Sequence, residues 1–173
     1  MPHSNPSGSP SANPSDLCSM IVLRHAEKDS GPDPALTEEG HQRAKALAQL
    51  MAGVQVDRMY CTEYLRTRQT LEPLSSEVGT PIEVIPAEDA PRWRSIVASI
   101  QPKEIVVICG HQNTVPLFIE EVGGRLEGLD SYSGQLWIPG HVYDRLYMAT
   151  WQHSEGSEKP HPQLIELRYG NRC

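Results

Sequence analysis

Apolar residues in this chain recur in two periods, and their alternation predicts its architecture. Ser19-Met20-Ile21-Val22-Leu23 is a short, nearly unbroken apolar run, as in a strand covered on both faces. Ala44, Leu47, Ala48 and Met51 then stand at i, i+3, i+4 and i+7, which is one buried helical stripe. Thr37 is the expected N-cap of that helix, and Gly53 its expected stop. Glu38 and Glu39 lie in its first turn, where the helix dipole favours them. Val56 to Cys61 reads as a second strand. Thr62 is expected to cap a helix running to Val78, with Leu65, Leu71, Leu74 and Val78 inward and Gly79 at its end. Pro73 falls inside that helix and is expected to kink it or to remove one backbone bond.

Further along, Ile82 to Ile85 reads as a third strand and residues 91–100 as a short helix. Ile105 to Cys109 (IVVIC) is the strongest strand signal, and a helix over Val115 to Val122 follows, closed by Gly123-Gly124. Residues 125–144 read as glycine-rich and irregular. Arg145 to Trp151 and Leu164 to Tyr169 read as two last strands around a polar loop at 153–163. Strands alternating with helices predict an α/β fold: a three-layer αβα sandwich with a central, mostly parallel sheet.

Composition divides the chain once. Residues 1–17 are built from Pro, Ser, Asn and Gly and bury too little to offset their ordering entropy, so they read as a disordered tail. Residues 18–173 read as a single catalytic-size domain. The 15 Lys and Arg against 22 Asp and Glu give a net charge of −7. Such a field repels phosphate backbones, which argues against nucleic acid as a partner. No run reaches the roughly 18 apolar residues of a membrane span, and no secretory signal pattern stands at the start, so cytoplasm is the expected compartment. Cys18, Cys61, Cys109 and Cys173 form no CxxC pair and no Cys/His cluster of zinc-ligand spacing; they read as reduced thiols, and no metal or cofactor is expected.

Chemistry concentrates where predicted strands end. The first strand runs into Arg24-His25, the second into a helix carrying Arg66 and Arg68, and IVVIC into Gly110-His111-Gln112-Asn113-Thr114. In a parallel sheet these ends share one edge, where ligands bind. A neutral imidazole is a competent nucleophile, and arginine forks fit phosphate oxygens. Phosphoryl transfer needs positioning and charge neutralisation above all. Two histidines with two arginines meet those needs without a metal. Screening over about 8–10 Å lets such a cluster dominate its own cleft in an acidic chain.

The ordered segments Leu23-Arg24-His25-Ala26-Glu27-Lys28, Leu36-Thr37-Glu38-Glu39-Gly40, Cys61-Thr62-Glu63-Tyr64-Leu65-Arg66-Thr67-Arg68-Gln69-Thr70 and Gly110-His111-Gln112-Asn113-Thr114 resemble the histidine phosphatase superfamily, also called phosphoglycerate-mutase-like. The RHAEK opening further resembles a small-phosphatase branch of it. The resemblance implies a phosphatase acting on a small phosphomonoester or a protein phosphohistidine. It implies His25 as the nucleophile that becomes phosphohistidine, Arg24 and Arg66 as phosphate-binding arginines, and His111 as the second histidine on the transferred group. It also implies an acidic proton donor after the third strand. Glu88 is the expected donor, with Asp89 and Glu27 as alternatives. A phosphomutase of the same superfamily and a phosphate-binding module without turnover are the competing readings. Arg68, His3, His41, His153 and His161 read as solvated, and Trp93, Trp137 and Trp151 as core or lid.

Overall fold

The computed structural model describes residues 16–153 and 160–170. Its elements run β1 (Leu17–Arg24), α1 (Glu38–Met51), β2 (Arg58–Cys61), α2 (Leu65–Val78), β3 (Ile82–Val84), α3 (Ala90–Ala98), β4 (Ile105–Gly110), α4 (Thr114–Glu121), β5 (Asp130–Tyr132), β6 (Gln135–Trp137), β7 (Arg145–Gln152) and β8 (Gln163–Arg168). Six strands form the main sheet in the order β3-β2-β4-β1-β7-β8. The first four are mutually parallel; β7 runs antiparallel to β1, and β8, antiparallel to β7, regains the direction of the first four.

The unbroken apolar run of β1 follows from burial on both faces. Met20 and Val22 enter one core with Trp93, Ile96, Phe118 and Ile119 of α3 and α4. Ile21 and Leu23 enter the other with Leu47, Met51, Leu71 and Leu74 of α1 and α2. β4 repeats this with Val106 and Ile108 against Val107 and Cys109. The period of two along each strand therefore produces three layers. The helical stripe of α1 is buried as its spacing predicts, and Thr37 caps it by accepting the Gly40 N–H at 3.1 Å. Gly40 permits the close approach of α1 to the loop after β1: a Cβ there would collide with the Glu27 carbonyl oxygen.

Several boundaries depart from expectation. Leu17, expected in the tail, opens β1 by pairing with Gln152, and its carbonyl accepts the Lys103 N–H at 2.7 Å. These partners satisfy a backbone that composition alone leaves open. Residues 1–15 lie outside the described residues, as does Cys173. α1 stops at Ala52 in a right-handed conformation, and Gly53 does not adopt a positive φ. α2 begins after Tyr64 rather than at Thr62, because Asp33 Oδ1 accepts the Leu65 N–H at 2.9 Å. The stretch at 125–144 contains the β5–β6 hairpin, whose two turn residues, Ser133 and Gly134, have φ of 50° and 80°. Cys18, Cys61 and Cys109 are buried free thiols. Among the described residues, no helix is long and apolar enough to cross a membrane.

Candidate active site

The register of the sheet assembles the site. β1 and β4 are parallel neighbours and end together, with Arg24 opposite Gly110. The next residue of each chain segment is a histidine. The His25 N–H donates to the Gly110 carbonyl at 3.0 Å, and the two imidazole centroids lie 5.4 Å apart at 62°. β2 ends beside β4, with Cys61 opposite Cys109, so Thr62 arrives next to His111. The chain reverses its helix side between β1 and β4, with α1 on one face and α4 on the other. This is the switch point at which open α/β sheets bind ligands.

His25 is held as a nucleophile would need to be. Its Nδ1 lies 2.8 Å from the Ala26 carbonyl, which only accepts, so Nδ1 carries the hydrogen and Nε2 keeps its lone pair. The Ala26 N–H in turn donates to Thr70 Oγ1 at 2.9 Å, and Thr70 donates to the Arg66 carbonyl at 2.8 Å. Burial pushes the His25 pKa down to about 3, with Arg24 and His111 adding to the effect against the Ala26 hydrogen bond. Burial, with Arg66 and Arg24, likewise pushes His111 down to about 4. Both rings are neutral at pH 7.

The two arginines are held by different partners. Arg24 Nη1 donates to the carbonyls of Pro139, Gly140 and Val142 at 3.0–3.2 Å, and its guanidinium covers the Tyr143 ring at 4.1 Å. Arg66 Nη2 lies 3.4 Å from His111 Nδ1, and its guanidinium covers the Tyr64 ring at 4.3 Å. Tyr143 stands 6.0 Å from the His25 ring and Tyr64 stands 5.2 Å from the His111 ring. The Nε–H of each arginine is buried with no hydrogen-bond partner. Three stretches that the sequence places far apart thus bring four groups together: Arg24 and His25, Arg66, and His111.

The three acidic candidates separate sharply. Glu27 is buried and pinned by Arg43, whose Nε donates to both carboxylate oxygens at 2.8 and 2.9 Å. Asp89 caps α3 by accepting the Arg92 N–H at 3.1 Å. Glu88 is exposed in the turn before α3 and makes no hydrogen bond or ion pair to the four pocket groups. Its turn is moored to the site, since the Ala87 N–H donates to the carboxylate of Glu63 at 2.7 Å, three residues before Arg66. Arg68 is exposed, as its helical angle predicts, and Trp93 and Trp151 are core residues.

The family model described as the histidine phosphatase superfamily (branch 1) matches residues 20–89. The chain also shares its fold with solved histidine phosphatases along nearly its whole length. Over residues 20–89 this chain is thus similar to the histidine phosphatase superfamily. The SixA protein of Nakamurella multipartitia is 19% identical, with a TM-score of 0.60, over 91% of this chain and 99% of its own. The protein histidine phosphatase SixA complexed with tungstate is 18% identical, with a TM-score of 0.60, over 87% and 96%. A mycobacterial glucosyl-3-phosphoglycerate phosphatase with inorganic phosphate is 15% identical, with a TM-score of 0.59, over 86% and 95%. No curated protein matches. The family match ends at residue 89, so His111 and Tyr143 join the site through the sheet geometry.

Sequence reasoning overlooked Tyr143, Tyr64 and the buried threonines Thr62, Thr67 and Thr70. Tyr143 precedes an antiparallel strand, so it enters the site at a strand's start, where a parallel sheet would place nothing. The threonines had a signal: Thr67, Thr70, Leu71 and Leu74 share the buried face of α2.

The depressed histidine pKa values set a pH dependence of stability. Unfolded histidines bind protons below pH ~6.5, whereas His25 and His111 do so only near 3 and 4. The unfolded state therefore takes up more protons in that window, and stability falls as the pH falls. The urea midpoint is expected to drop from pH 7 to pH 5, and His25→Asn or His111→Asn should each lose part of that slope. Variants with the full wild-type slope would contradict the assignment.

Proposed function

We propose that the protein is a metal-independent phosphatase that works through a covalent phosphohistidine on His25. The observation that carries this reading is the unpaired donor set around a fixed lone pair. His25 Nε2 is free because Nδ1 is tied to Ala26, and the buried Nε–H groups of Arg24 and Arg66 lack acceptors. A tetrahedral oxyanion supplies those acceptors and presents its phosphorus to Nε2. Two fold relatives are described with tungstate and with inorganic phosphate, which are oxyanions of this shape.

In the first half-reaction Nε2 attacks phosphorus and the bond to the leaving oxygen breaks in line. Arg24, Arg66 and His111 neutralise the equatorial oxygens as charge redistributes. Glu88 is the proton donor to the leaving group, being the one acidic candidate whose carboxylate is not engaged elsewhere. In the second half-reaction a water attacks phosphohistidine, the P–N bond breaks, and the same carboxylate takes the water's proton. The substrate is a small phosphomonoester or a protein phosphohistidine, and the compartment is the cytoplasm.

A proton donor helps poor leaving groups most. Glu88→Gln is expected to lower kcat on alkyl phosphates about 10²-fold, and on aryl phosphates or a phosphohistidine by less than about threefold. Equal losses on both classes would remove Glu88 from the reaction. The reading as a whole is tested by assaying inorganic phosphate release from a panel of alkyl, aryl and sugar phosphates and a phosphohistidine peptide, with and without a chelator. Release that survives the chelator supports it. Phosphate transfer to a second substrate without release supports a mutase, and no turnover on any member supports a binding module.

A further inference from the structure

Thr62 has no part in the reaction as written, yet it is 1% exposed and its Oγ1 lies 2.9 Å from His111 Nε2. The direction of every hydrogen bond around it can be assigned from donor and acceptor capacity. Arg66 Nη2 only donates, and it faces His111 Nδ1 at 3.4 Å, so Nδ1 holds the lone pair. The hydrogen of the neutral ring then sits on Nε2 and is given to Thr62 Oγ1. Thr67 Oγ1 donates to the Tyr64 carbonyl at 2.8 Å, with the Thr62 carbonyl at 3.1 Å. Its oxygen is therefore the acceptor for the Thr62 hydroxyl, 2.9 Å away. Both hydroxyls give one proton and take one, and the chain ends on carbonyls that only accept. Thr67 is fully buried, so no water competes for these bonds.

We infer that Thr62, backed by Thr67, is a positioning residue that fixes the tautomer of His111 and presents its Nδ1 edge to the transferring phosphoryl group. The kinetic consequence rests on the phosphatase reading; the tautomer does not. A bound phosphoryl anion favours a proton on His111. Thr62 already holds the Nε2 hydrogen, so the added proton goes to Nδ1, on the edge that faces Arg66. The ring then donates to a phosphoryl oxygen from Nδ1 and to Thr62 from Nε2. With the hydroxyl removed, Nε2–H loses its acceptor in a buried site, and the two tautomers compete.

The test is ¹⁵N NMR of the histidine rings in the full chain at neutral pH, with and without saturating inorganic phosphate, combined with steady-state kinetics. In the wild type and in Thr62→Ser, His111 is expected to be protonated at Nε2 alone when free, and to gain a proton at Nδ1 with phosphate. Thr62→Val is expected to mix the tautomers and to lower kcat about 10²-fold, with a smaller change in KM. Thr67→Val, which keeps the Thr62 hydroxyl but removes its acceptor, should fall between. If Thr62→Val does not fold, the wild type, Thr62→Ser and Thr67→Val still decide the matter. A wild-type His111 protonated at Nδ1 when free overturns the inference, as does a folded Thr62→Val or Thr67→Val with wild-type tautomer and kcat. A chain without turnover on any substrate defeats the phosphatase reading and leaves the tautomer result standing on its own.

Discussion

Replacing His25 by alanine is expected to abolish turnover, with kcat falling by a factor on the order of 10⁴–10⁶. The size follows from the role. In the proposed reaction His25 Nε2 forms the covalent bond, so its loss removes a step and not a contact. Arg24, Arg66 and His111 remain in place to receive the proposed anion, so phosphate or vanadate affinity should change by much less than kcat. That split separates a nucleophile from a structural strand-end histidine, whose removal would affect binding and turnover together. The cost to the fold is modest, because the ring makes one side-chain hydrogen bond, to the neighbouring Ala26 carbonyl. His25→Asn is the control for the cavity left by alanine. A variant with wild-type kcat and an intact fold would end the assignment.

The largest expected effect on stability lies two residues further on. Arg43→Met leaves the Glu27 carboxylate buried without its guanidinium. Arg43 is 3% and Glu27 8% exposed, and the pair is held by three N–H donations. Arg43 Nη1 also donates to the Tyr169 carbonyl at 2.7 Å, which ties the end of β8 to the loop after β1. Breaking a buried pair from one side costs about 3–5 kcal/mol. For a domain of this size that is a fall in Tm of roughly 6–20 °C. The double variant Glu27→Leu/Arg43→Met should recover most of the loss, since the desolvated charge goes with its partner. Thermal unfolding of Arg43→Met, Glu27→Leu and the double variant at pH 7 gives the coupling directly. A Tm for Arg43→Met within about 2 °C of wild type would show the pair to be dispensable. A further variant of the pair bears on the reaction. Glu27→Gln should lower stability without changing the ratio of alkyl to aryl phosphate turnover, because Glu27 is engaged with Arg43.

How much was legible in the sequence depends on which force sets each feature. β1 and β4 were legible because burial on both faces leaves a continuous apolar run, and α1 because one buried stripe repeats at 3.6 residues. The convergence of Arg24, His25, Arg66 and His111 was legible as a resemblance and as strand-end logic, and register then explains it. Arg24 opposite Gly110 is a one-residue fact on which the 5.4 Å histidine pair depends. The start of α2 was misread because its cap comes from Asp33, an acceptor 32 residues away that no local pattern reveals. Thr62 looked like that cap because hydroxyls favour helix starts; its hydroxyl instead serves His111. Leu17 was misread because strand pairing with β7, and not its own composition, orders it. The β5–β6 hairpin lacks apolar alternation, so only its left-handed turn marks it. Tyr143 was missed because it depends on β7 running antiparallel, and strand direction is not written in a strand's own residues.

The central claim is that the phosphoryl group rests on His25 between the two half-reactions. The direct measurement is rapid acid-free quench of the enzyme with a ³²P-labelled aryl phosphate, followed by protein isolation, acid and alkali treatment, and peptide mapping. The expected result is label on the protein that survives alkali, is released by acid, maps to the peptide containing His25, and is absent from His25→Asn. Turnover with no protein-bound label at any quench time, or label that maps to His111 or survives in His25→Asn, would contradict it.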